Sequence, residues 1–314
     1  MKRKLNWNVI FGIFIVVFTI YSALYTFVIP TAEVTNATDM DLSMFDDEDE
    51  EPVGGSTSQN YFTSEVVLTD NSYSDENIYI KIETIRLTED MTTVYVADIR
   101  LNSAQYLKTA FANDTYGRNQ KANTSAIAKA HNAILAINGD YYGARQRGYV
   151  IRNGKIYRET KSTDTSPDVL GIKADGTLQS YNQNAYTAQQ ILDDKVWQAF
   201  SFGPTLINEG EIIIGIDAEV NQSSAKGNPR TAIGIIEPKH YVFVVSDGRT
   251  TESTGLSLYQ LATFMKGYGV KLAYNLDGGG SSSMVFNNKV VNQPTSDGKT
   301  IKERGVTDIV YIGY

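Results

Sequence analysis

Residues 231–249 read TAIGIIEPKHYVFVVSDGR, two apolar runs rich in β-branched and aromatic residues on either side of Glu237-Pro238-Lys239. Such runs joined by a short polar loop are typical of two antiparallel strands in a hairpin. The pattern recurs along the chain, with turn dipeptides at Asn153-Gly154, Asp175-Gly176 and Asn287-Asn288. The sequence therefore predicts a sheet that is largely antiparallel.

A few helices interrupt these strand patterns. Helices are expected where capping residues precede apolar residues at helical spacing, at 123–132, 187–194 and 256–268. The first and third run directly into the apolar stretches AILAIN and KLAYNL. With further strands expected at 78–87 and 92–100, the fold class is α+β: a mixed, largely antiparallel sheet with a few packed helices.

The N-terminal end has the character of a membrane anchor. Lys2, Arg3 and Lys4 precede an uncharged apolar run of 21 residues at 9–29. A helix of that length spans a bilayer, and the basic cluster favours a cytoplasmic N-terminus. We therefore expect residues 1–30 to form a cytoplasmic basic segment and a single-pass transmembrane helix, with the rest of the chain extracytoplasmic. Secretion after signal cleavage is the alternative, which the large residues at the end of the run disfavour.

Residues 31–60 are rich in Thr, Asp, Glu, Gly and Ser and include the run DDEDEE at 46–51. This composition predicts an acidic, disordered linker between the membrane and a folded domain at 61–314. The net charge of -8 argues against a nucleic-acid partner, because phosphates would be repelled. The chain has no cysteine, which excludes Cys nucleophiles and thiolate metal sites.

The strongest candidate for a site is the run NLDGGGSSSM at 275–284, which follows an apolar strand. Glycines let a ligand approach the backbone closely, and successive N–H groups with serine hydroxyls can bind an anion. A flexible connection between strands also fits. Two other predicted strands end in Asp247-Gly248 and Asn138-Gly139-Asp140. Each alone is a common turn, but strands that are neighbours in one sheet would bring the three ends to one cleft.

Arginine offers the matching positive charge. Arg230 precedes one strand and Glu303-Arg304 precedes the last. A guanidinium can bind phosphate through two parallel hydrogen bonds, although a surface or ion-paired arginine has the same sequence signature. The stretch SFGP at 201–204 fits either a structural turn or a pocket wall. His131 falls in a predicted helix and His240 at a hairpin edge, so we expect no Ser-His-Asp triad despite the run of serines.

Taken in order, six motifs resemble the phosphodiester glycosidase family over about residues 120–314. They are NGDYYG at 138–143, GPTLINEG at 203–210, NPRTAIG at 228–234, SDGR at 246–249, NLDGGGSSSM at 275–284 and ERGVTD at 303–308. Asp140 departs from the family pattern, in which a second glycine is frequent, and this puts sugar selectivity in doubt.

The resemblance implies hydrolysis of the bond between a sugar anomeric carbon and a phosphodiester, on cell-surface or exopolysaccharide glycans. It implies catalytic roles for Asp277, Asp247 and Arg230, with either aspartate as nucleophile, base or charge stabiliser. It implies substrate-binding roles for Asn138, Gly139, Asp140, Gly278, Gly279, Gly280, Ser281, Ser282, Glu303 and Arg304. We expect no cofactor and no metal. The alternatives are a noncatalytic module that binds phosphorylated surface polysaccharide, and a phosphodiesterase that cuts at phosphorus.

Overall fold

The computed structural model describes residues 7–37, 40–45, 61–163, 166–220 and 227–314, and every strand pair in these ranges is antiparallel. The largest sheet has nine strands, which lie in the order β15 (Glu211–Ile212), β14 (Thr205–Asn208), β18 (Leu272–Asn275), β16 (Arg230–Glu237), β17 (His240–Ser246), β5 (Thr92–Leu101), β4 (Ile78–Leu87), β3 (Ser72–Ser74) and β2 (Val67–Leu68).

Two five-stranded sheets and a two-stranded ribbon complete the described strands. One sheet has the order β10 (Lys155–Arg158), β9 (Val150–Arg152), β13 (Val196–Phe200), β11 (Asp168–Lys173) and β12 (Leu178–Asn182). The other has the order β20 (Lys289–Val290), β19 (Met284–Phe286), β8 (Leu135–Asn138), β21 (Asp308–Ile312) and β6 (Leu107–Phe111). The ribbon pairs β1 (Thr31–Val34) with β7 (Tyr116–Arg118). The four predicted hairpins are confirmed as β9–β10, β11–β12, β16–β17 and β19–β20.

The three predicted helices are confirmed as α2 (Thr124–Ala130), α3 (Ala188–Asp193) and α4 (Leu258–Gly267). Helix α4 begins after Ser257, whose hydroxyl accepts from the Gln260 N–H while the Gln260 side chain accepts from the Ser257 N–H. This reciprocal pair satisfies two N–H groups that the helix itself cannot. Apolar residues of α4 then cover one face of the nine-stranded sheet, where Leu261 and Met265 pack with Val242 and Val244.

The opposite face of the nine-stranded sheet contributes to the main core. Ile99, Phe243 and Tyr274 of that sheet cluster with Phe200 and Leu135, one from each five-stranded sheet. Because both faces are covered, all seven residues of β17 are buried, which explains its unbroken apolar sequence. Each large apolar side chain so buried contributes roughly 1.5–3 kcal/mol of transfer free energy.

At the N-terminus, α1 (Trp7–Phe27) has no buried residue and overlaps the apolar run predicted at 9–29. It is the one helix among the described residues that is long and apolar enough to cross a membrane. Its length and composition fit a membrane anchor and a signal sequence alike.

The prediction of a disordered linker at 31–60 is wrong for the part of this segment that the structure describes. Thr31–Val34 forms β1 on the folded domain, and Phe45 packs edge-on against Trp197 with ring centres 4.9 Å apart. Backbone pairing and this aromatic contact outweigh the chain entropy that the polar composition favoured. Residues 38–39 and 46–60 of the predicted linker lie outside the described residues.

Candidate active site

Two of the three predicted strand ends meet, those that lead to Asn138 and Asp277, and they belong to different sheets. β17, which leads to Asp247, and β18, which leads to Asp277, flank β16 in the nine-stranded sheet, whereas β8 lies in a different sheet. Asn138 at the end of β8 joins the two sheets. Its Nδ2 donates to the Asp277 carbonyl at 2.7 Å, and its Oδ1 accepts from Thr231 Oγ1 at 2.8 Å and Ser283 N at 3.2 Å. The fully buried Asn138 amide therefore fixes the start of the glycine loop.

A cavity of about 240 Å³ lies beside this junction. Its lining includes four arginines, and Asp277 is the one carboxylate among the described residues that line it. The lining residues are Tyr141, Arg145, Phe202, Val220, Asn228, Arg230, Arg249, Asn275, Asp277, Gly278, Gly279 and Arg304. The excess of positive charge favours an anionic ligand.

Asp277 is 9% exposed and faces one arginine directly. Arg304 Nη2 lies 3.3 Å from Asp277 Oδ2, and the Asp277 N–H donates to the Gly139 carbonyl at 3.2 Å. Burial raises the pKa of the Asp277 carboxyl above its ordinary value, and the charge of Arg304 and a hydrogen bond from Ser281 oppose this rise. A desolvated carboxylate at a cavity wall can act as a base or as a nucleophile.

Two of the arginines are fixed by different kinds of partner. Arg230 is buried, with Nη2 2.8 Å from the Glu219 carboxylate and Nε donating to the Leu256 carbonyl at 2.7 Å. Arg249 donates to neutral oxygens: Nε and Nη2 to Asn228 Oδ1 at 3.2 and 3.1 Å, and Nη1 to the Ser296 carbonyl at 2.9 Å. Neutral acceptors orient the Arg249 guanidinium without cancelling its charge.

The glycine loop shapes the cavity in a way the sequence did not predict. Instead of a row of N–H groups facing a ligand, Gly279–Ser281 forms a short 3-10 turn. The N–H of Gly279 donates to the Pro229 carbonyl at 2.8 Å, and that of Ser282 to the Gly279 carbonyl at 3.1 Å. Gly279 has φ of 61°, and a Cβ there would lie 2.8 Å from Arg249 Nη2, so a side chain would displace that arginine.

All three serines of this loop are buried, and one of them holds an arginine. Ser281 Oγ accepts from Arg304 Nε at 3.0 Å. The hydroxyls of Ser282 and Ser283 are buried without a hydrogen-bond partner in the described part of the chain. Gly280 is packed so closely that a Cβ would lie 2.2 Å from Ser296 Oγ. Gly280, Ser281 and Ser282 are thus not among the residues that line the cavity.

Asp247 lies outside the cavity, contrary to the predicted convergence. Its Oδ2 accepts from the Tyr95 hydroxyl at 3.0 Å, and its Oδ1 accepts from Gln293 N at 2.8 Å and Asn292 Nδ2 at 3.4 Å. Burial raises the pKa of this carboxyl as well. Asp247 therefore links β5 and β17 to the segment after β20.

Asp140 and Gly139 form part of a buried charged cluster next to the cavity. Arg152 Nη2 lies 3.0 Å from Asp140 Oδ1 and 2.7 Å from Asp308 Oδ2. Asp140 Oδ2 also accepts from Ser201 N at 3.0 Å, and a Cβ on Gly139 would lie 2.2 Å from Asp308 Oδ1. These contacts give Asp140 an orienting role within the fold.

Glu303 also lies away from the cavity. Its Oε1 accepts from the backbone N–H of Ser125 at 2.9 Å, and its Oε2 is hydrogen-bonded to the Ser125 hydroxyl. The side chain therefore binds the first turn of α2. Only its neighbour Arg304 reaches Asp277.

Sequence reasoning missed five polar lining residues: Tyr141, Arg145, Asn228, Arg249 and Asn275. Arg249 and Asn275 fall inside the SDGR and NLDGGGSSSM motifs, so their positions beside Asp247 and Asp277 were the available signal. Asn275 Nδ2 donates to the Gly203 carbonyl at 2.8 Å, while its buried Oδ1 has no partner among the described residues. Phe202 lines the cavity, so the SFGP stretch at 201–204 contributes to the pocket wall.

Comparisons with known sequences identify the family. A family model described as phosphodiester glycosidase matches residues 131–313. The SPbeta prophage-derived uncharacterized protein YomE of Bacillus subtilis is 25% identical over 265 residues, covering 82% of this chain and 39% of that protein. N-acetylglucosamine-1-phosphodiester alpha-N-acetylglucosaminidase of Homo sapiens is 28% identical over 192 residues, covering 56% of this chain and 36% of that protein. The chain thus spans 30% to 39% of the length of these curated relatives.

Solved structures share the fold. The catalytic domain of zebrafish N-acetylglucosamine-1-phosphodiester alpha-N-acetylglucosaminidase superposes with a TM-score of 0.59 and 23% identity, covering 76% of this chain and 83% of that chain. A hypothetical protein from Synechocystis superposes with a TM-score of 0.51 and 13% identity, covering 76% of this chain and 62% of that chain.

Proposed function

Because the chain belongs to the phosphodiester glycosidase family, we propose that it is a hydrolase that cuts the bond between the anomeric carbon of a sugar and a phosphodiester. The observation that carries this proposal is the cavity in which Arg145, Arg230, Arg249 and Arg304 accompany Asp277. Guanidinium groups bind phosphate oxygens through strong charge-assisted hydrogen bonds. The arginines therefore hold the phosphodiester, and Asp277 lies where it can act on the sugar beside it.

The chemistry of the leaving group explains how one carboxylate suffices. When the bond from the anomeric carbon to oxygen breaks, the electron pair leaves with the phosphate, whose second pKa is about 6. Such a group departs without the strong general acid that an alkyl glycoside needs. Arg230, Arg249 and Arg304 stabilise the negative charge that accumulates on the departing oxygen.

Asp277 completes the reaction at the carbon. In its ionised form it either attacks the anomeric carbon or takes a proton from the attacking water. If Asp277 attacks, water then hydrolyses the glycosyl ester and regenerates the carboxylate, so both routes give a free sugar and a phosphomonoester. We assign Asp247, Asp140, Asn138 and Glu303 positioning roles, because each is hydrogen-bonded within the protein and none of them lines the cavity.

A noncatalytic module for phosphorylated polysaccharide would also need the arginines, but it would not need Asp277. A carboxylate among the arginines repels a bound phosphate and is itself disfavoured by burial, as its raised pKa indicates. A binding site gains nothing from this group, whereas a hydrolase requires it. Asp277 therefore favours the enzyme over the binding module.

The cellular setting follows from the N-terminus. We propose that α1 anchors the protein in the cell membrane with its N-terminus cytoplasmic, so that the domain at 61–314, together with the packed residues of 31–45, acts on surface glycans outside. The basic residues Lys2, Arg3 and Lys4 before the helix support this orientation.

Release of free sugar from a panel of glycosyl-1-phosphodiesters tests the proposed function. The full chain in detergent should release sugar, and the Asp277→Asn variant should bind the same diesters without releasing it. Binding without release by the unmodified chain would instead establish a noncatalytic module.

A further inference from the structure

A second cavity, of about 310 Å³, lies between β1 and the domain. Three arginines line it, Arg118, Arg145 and Arg158, against one carboxylate among its described lining residues, Glu33. Arg145 also lines the reaction cavity, so the two cavities adjoin at this side chain. A second cationic cavity next to the first is suited to a second anionic group of the same substrate.

Two of the arginines that line the second cavity differ in how far the protein satisfies their hydrogen bonds. Arg158 is fixed by hydrogen bonds to the backbone carbonyls of Gly148, Tyr142 and Arg145 at 2.7 to 3.0 Å. Arg118 Nε, in contrast, is buried with no hydrogen-bond partner among the described residues. A buried guanidinium N–H without an acceptor costs free energy unless a ligand supplies one.

One lining residue of this cavity, Arg118, lies where the apolar helix meets the domain. Asn119 Nδ2 donates to the Ile29 carbonyl at 3.3 Å, and the Arg118 guanidinium lies 4.6 Å from the centre of the Tyr25 ring. When α1 spans the bilayer, these contacts place β7 at the level of the lipid headgroups, where aromatic and basic residues are favoured. Arg118, which lines the second cavity, then lies close to the membrane surface.

The connection between helix and domain is short and fixed. Residues 28–30 alone separate the end of α1 from β1, a stretch that reaches roughly 10 Å when fully extended. β1 then approaches β7 so closely that a Cβ on Gly117 would lie 2.0 Å from the Thr31 carbonyl oxygen. The domain is thereby held at the membrane surface and cannot reach glycans far from it.

We propose that the substrate is a glycosyl phosphate whose aglycone is a membrane lipid, and that the second cavity binds an anionic group on the lipid side. This inference rests on the proposed function. The phosphate attached to the sugar lies in the reaction cavity beside Asp277, and the lipid-side anionic group lies beside Arg118. Arg145 contacts the substrate between the two groups.

Two substrates with the same glycosyl phosphate test this proposal: a long-chain prenyl diphosphate ester in vesicles and a water-soluble methyl phosphodiester. In the full chain, Arg118→Gln should raise the KM for the lipid-linked substrate about tenfold or more, because a charge-assisted hydrogen bond is lost. It should leave kcat/KM for the methyl diester within about twofold. Arg118→Lys keeps the charge and should retain most of the lipid-linked activity.

Lys129→Gln, at an exposed position on α2, removes the same charge and should change neither substrate's kinetics. Equal losses on both substrates, or no loss on the lipid-linked one, would overturn the proposal. So would hydrolysis of the methyl diester by a chain that neither hydrolyses nor binds the lipid-linked substrate, a result that leaves the proposed function intact.

If no diester is hydrolysed, binding to vesicles that carry the lipid-linked substrate, measured by sedimentation, decides. Binding of the lipid-linked glycosyl diphosphate that Arg118→Gln weakens and Lys129→Gln does not would support the site while the proposed function fails. Binding insensitive to Arg118, or no binding, would overturn both.

Discussion

Arg304 Nη2 lies 3.3 Å from Asp277 Oδ2, so the one carboxylate of the described cavity lining has a cation at its edge. The Arg304 side chain is 42% exposed, whereas that of Asp277 is 12% exposed. The pair is therefore unequal: burial acts mainly on the carboxylate, and the arginine remains accessible to an anionic ligand. In the proposed mechanism, catalysis and phosphate binding meet at this contact.

The Asp277→Asn variant should separate chemistry from folding. Turnover should fall about 10³-fold or more, because the group acting at the anomeric carbon is lost. At pH 7 the melting temperature should stay the same or rise. The folded-state pKa of Asp277 lies above its ordinary value, so protonation favours the folded state, and this favourable contribution is lost as pH rises through the raised pKa. Asparagine does not ionise, so the variant avoids this loss of stability at pH 7.

Activity assays and thermal melts at pH 7 and at a pH below the ordinary aspartate range check this prediction. Asp70→Asn, at an exposed position, is the matched control and should change neither quantity. Unfolding of the Asp277→Asn variant at pH 7 would show that the carboxylate is structural.

The acidic limb of the pH–rate profile should shift when Arg304 is replaced. Activity requires ionised Asp277, so it should fall as pH drops through a pKa above the ordinary value. Arg304 lowers that pKa, and Arg304→Gln should therefore move the limb in kcat/KM to higher pH. A limb that stays in place or moves to lower pH would contradict the assignment of Asp277 as the ionised group.

Arg249 provides a cleaner test of phosphate binding than Arg230. Arg230→Gln leaves the Glu219 carboxylate, 2.8 Å away, without its buried partner, which should destabilise the fold by about 3 kcal/mol. Arg249 donates to neutral oxygens, so Arg249→Gln should lower kcat/KM about 10²-fold while the melting temperature changes little. Arg86→Gln, at an exposed position on β4, should leave kcat/KM unchanged. Unfolding of the Arg249 variant, or full activity in it, would remove Arg249 from the site.

The buried cluster around Arg152 should make stability depend on pH. Arg152 lies between Asp140 and Asp308, and burial raises the pKa of Asp308 to about 6. Arg152→Met leaves two carboxylates together and should cost about 3–5 kcal/mol of unfolding free energy at pH 7. The cost should shrink at pH 5, because Asp308 then protonates and its repulsion with Asp140 is relieved. Denaturant unfolding at the two pH values measures this, and an equal cost at both would contradict it.

Local signals in the sequence sufficed for much of the fold. The turn at Asn153-Gly154 and the helix start at Ser257 with Gln260 were predictable, because a turn dipeptide and a capping pair act over a few residues. The pairing of β1 with β7 was not, since it joins residues far apart in sequence and leaves no local pattern. A polar composition over 31–60 therefore predicted disorder where Thr31–Val34 pairs with β7 and Phe45 packs against Trp197.

The candidate site was predictable only in part, for a related reason. Asp277, Arg230 and Arg304 were found because glycine runs and arginines stand next to strand ends in the sequence. The placement of Asp247 depends on which strands are neighbours and on the hydroxyl of Tyr95, which no motif contains. Arg249 was missed because the SDGR motif was interpreted through its carboxylate, Asp247. Of these two residues, the arginine is the one that lines the cavity.

Hydrolysis of a glycosyl-1-phosphodiester in oxygen-18 water tests the central claim most directly. Attack at the anomeric carbon beside Asp277, with the phosphate departing toward the arginines, places the label in the released sugar and none in the phosphomonoester. Mass spectrometry of both products should show the label in the sugar alone. Label in the phosphate would mean that water attacks phosphorus, and the protein would then be a phosphodiesterase.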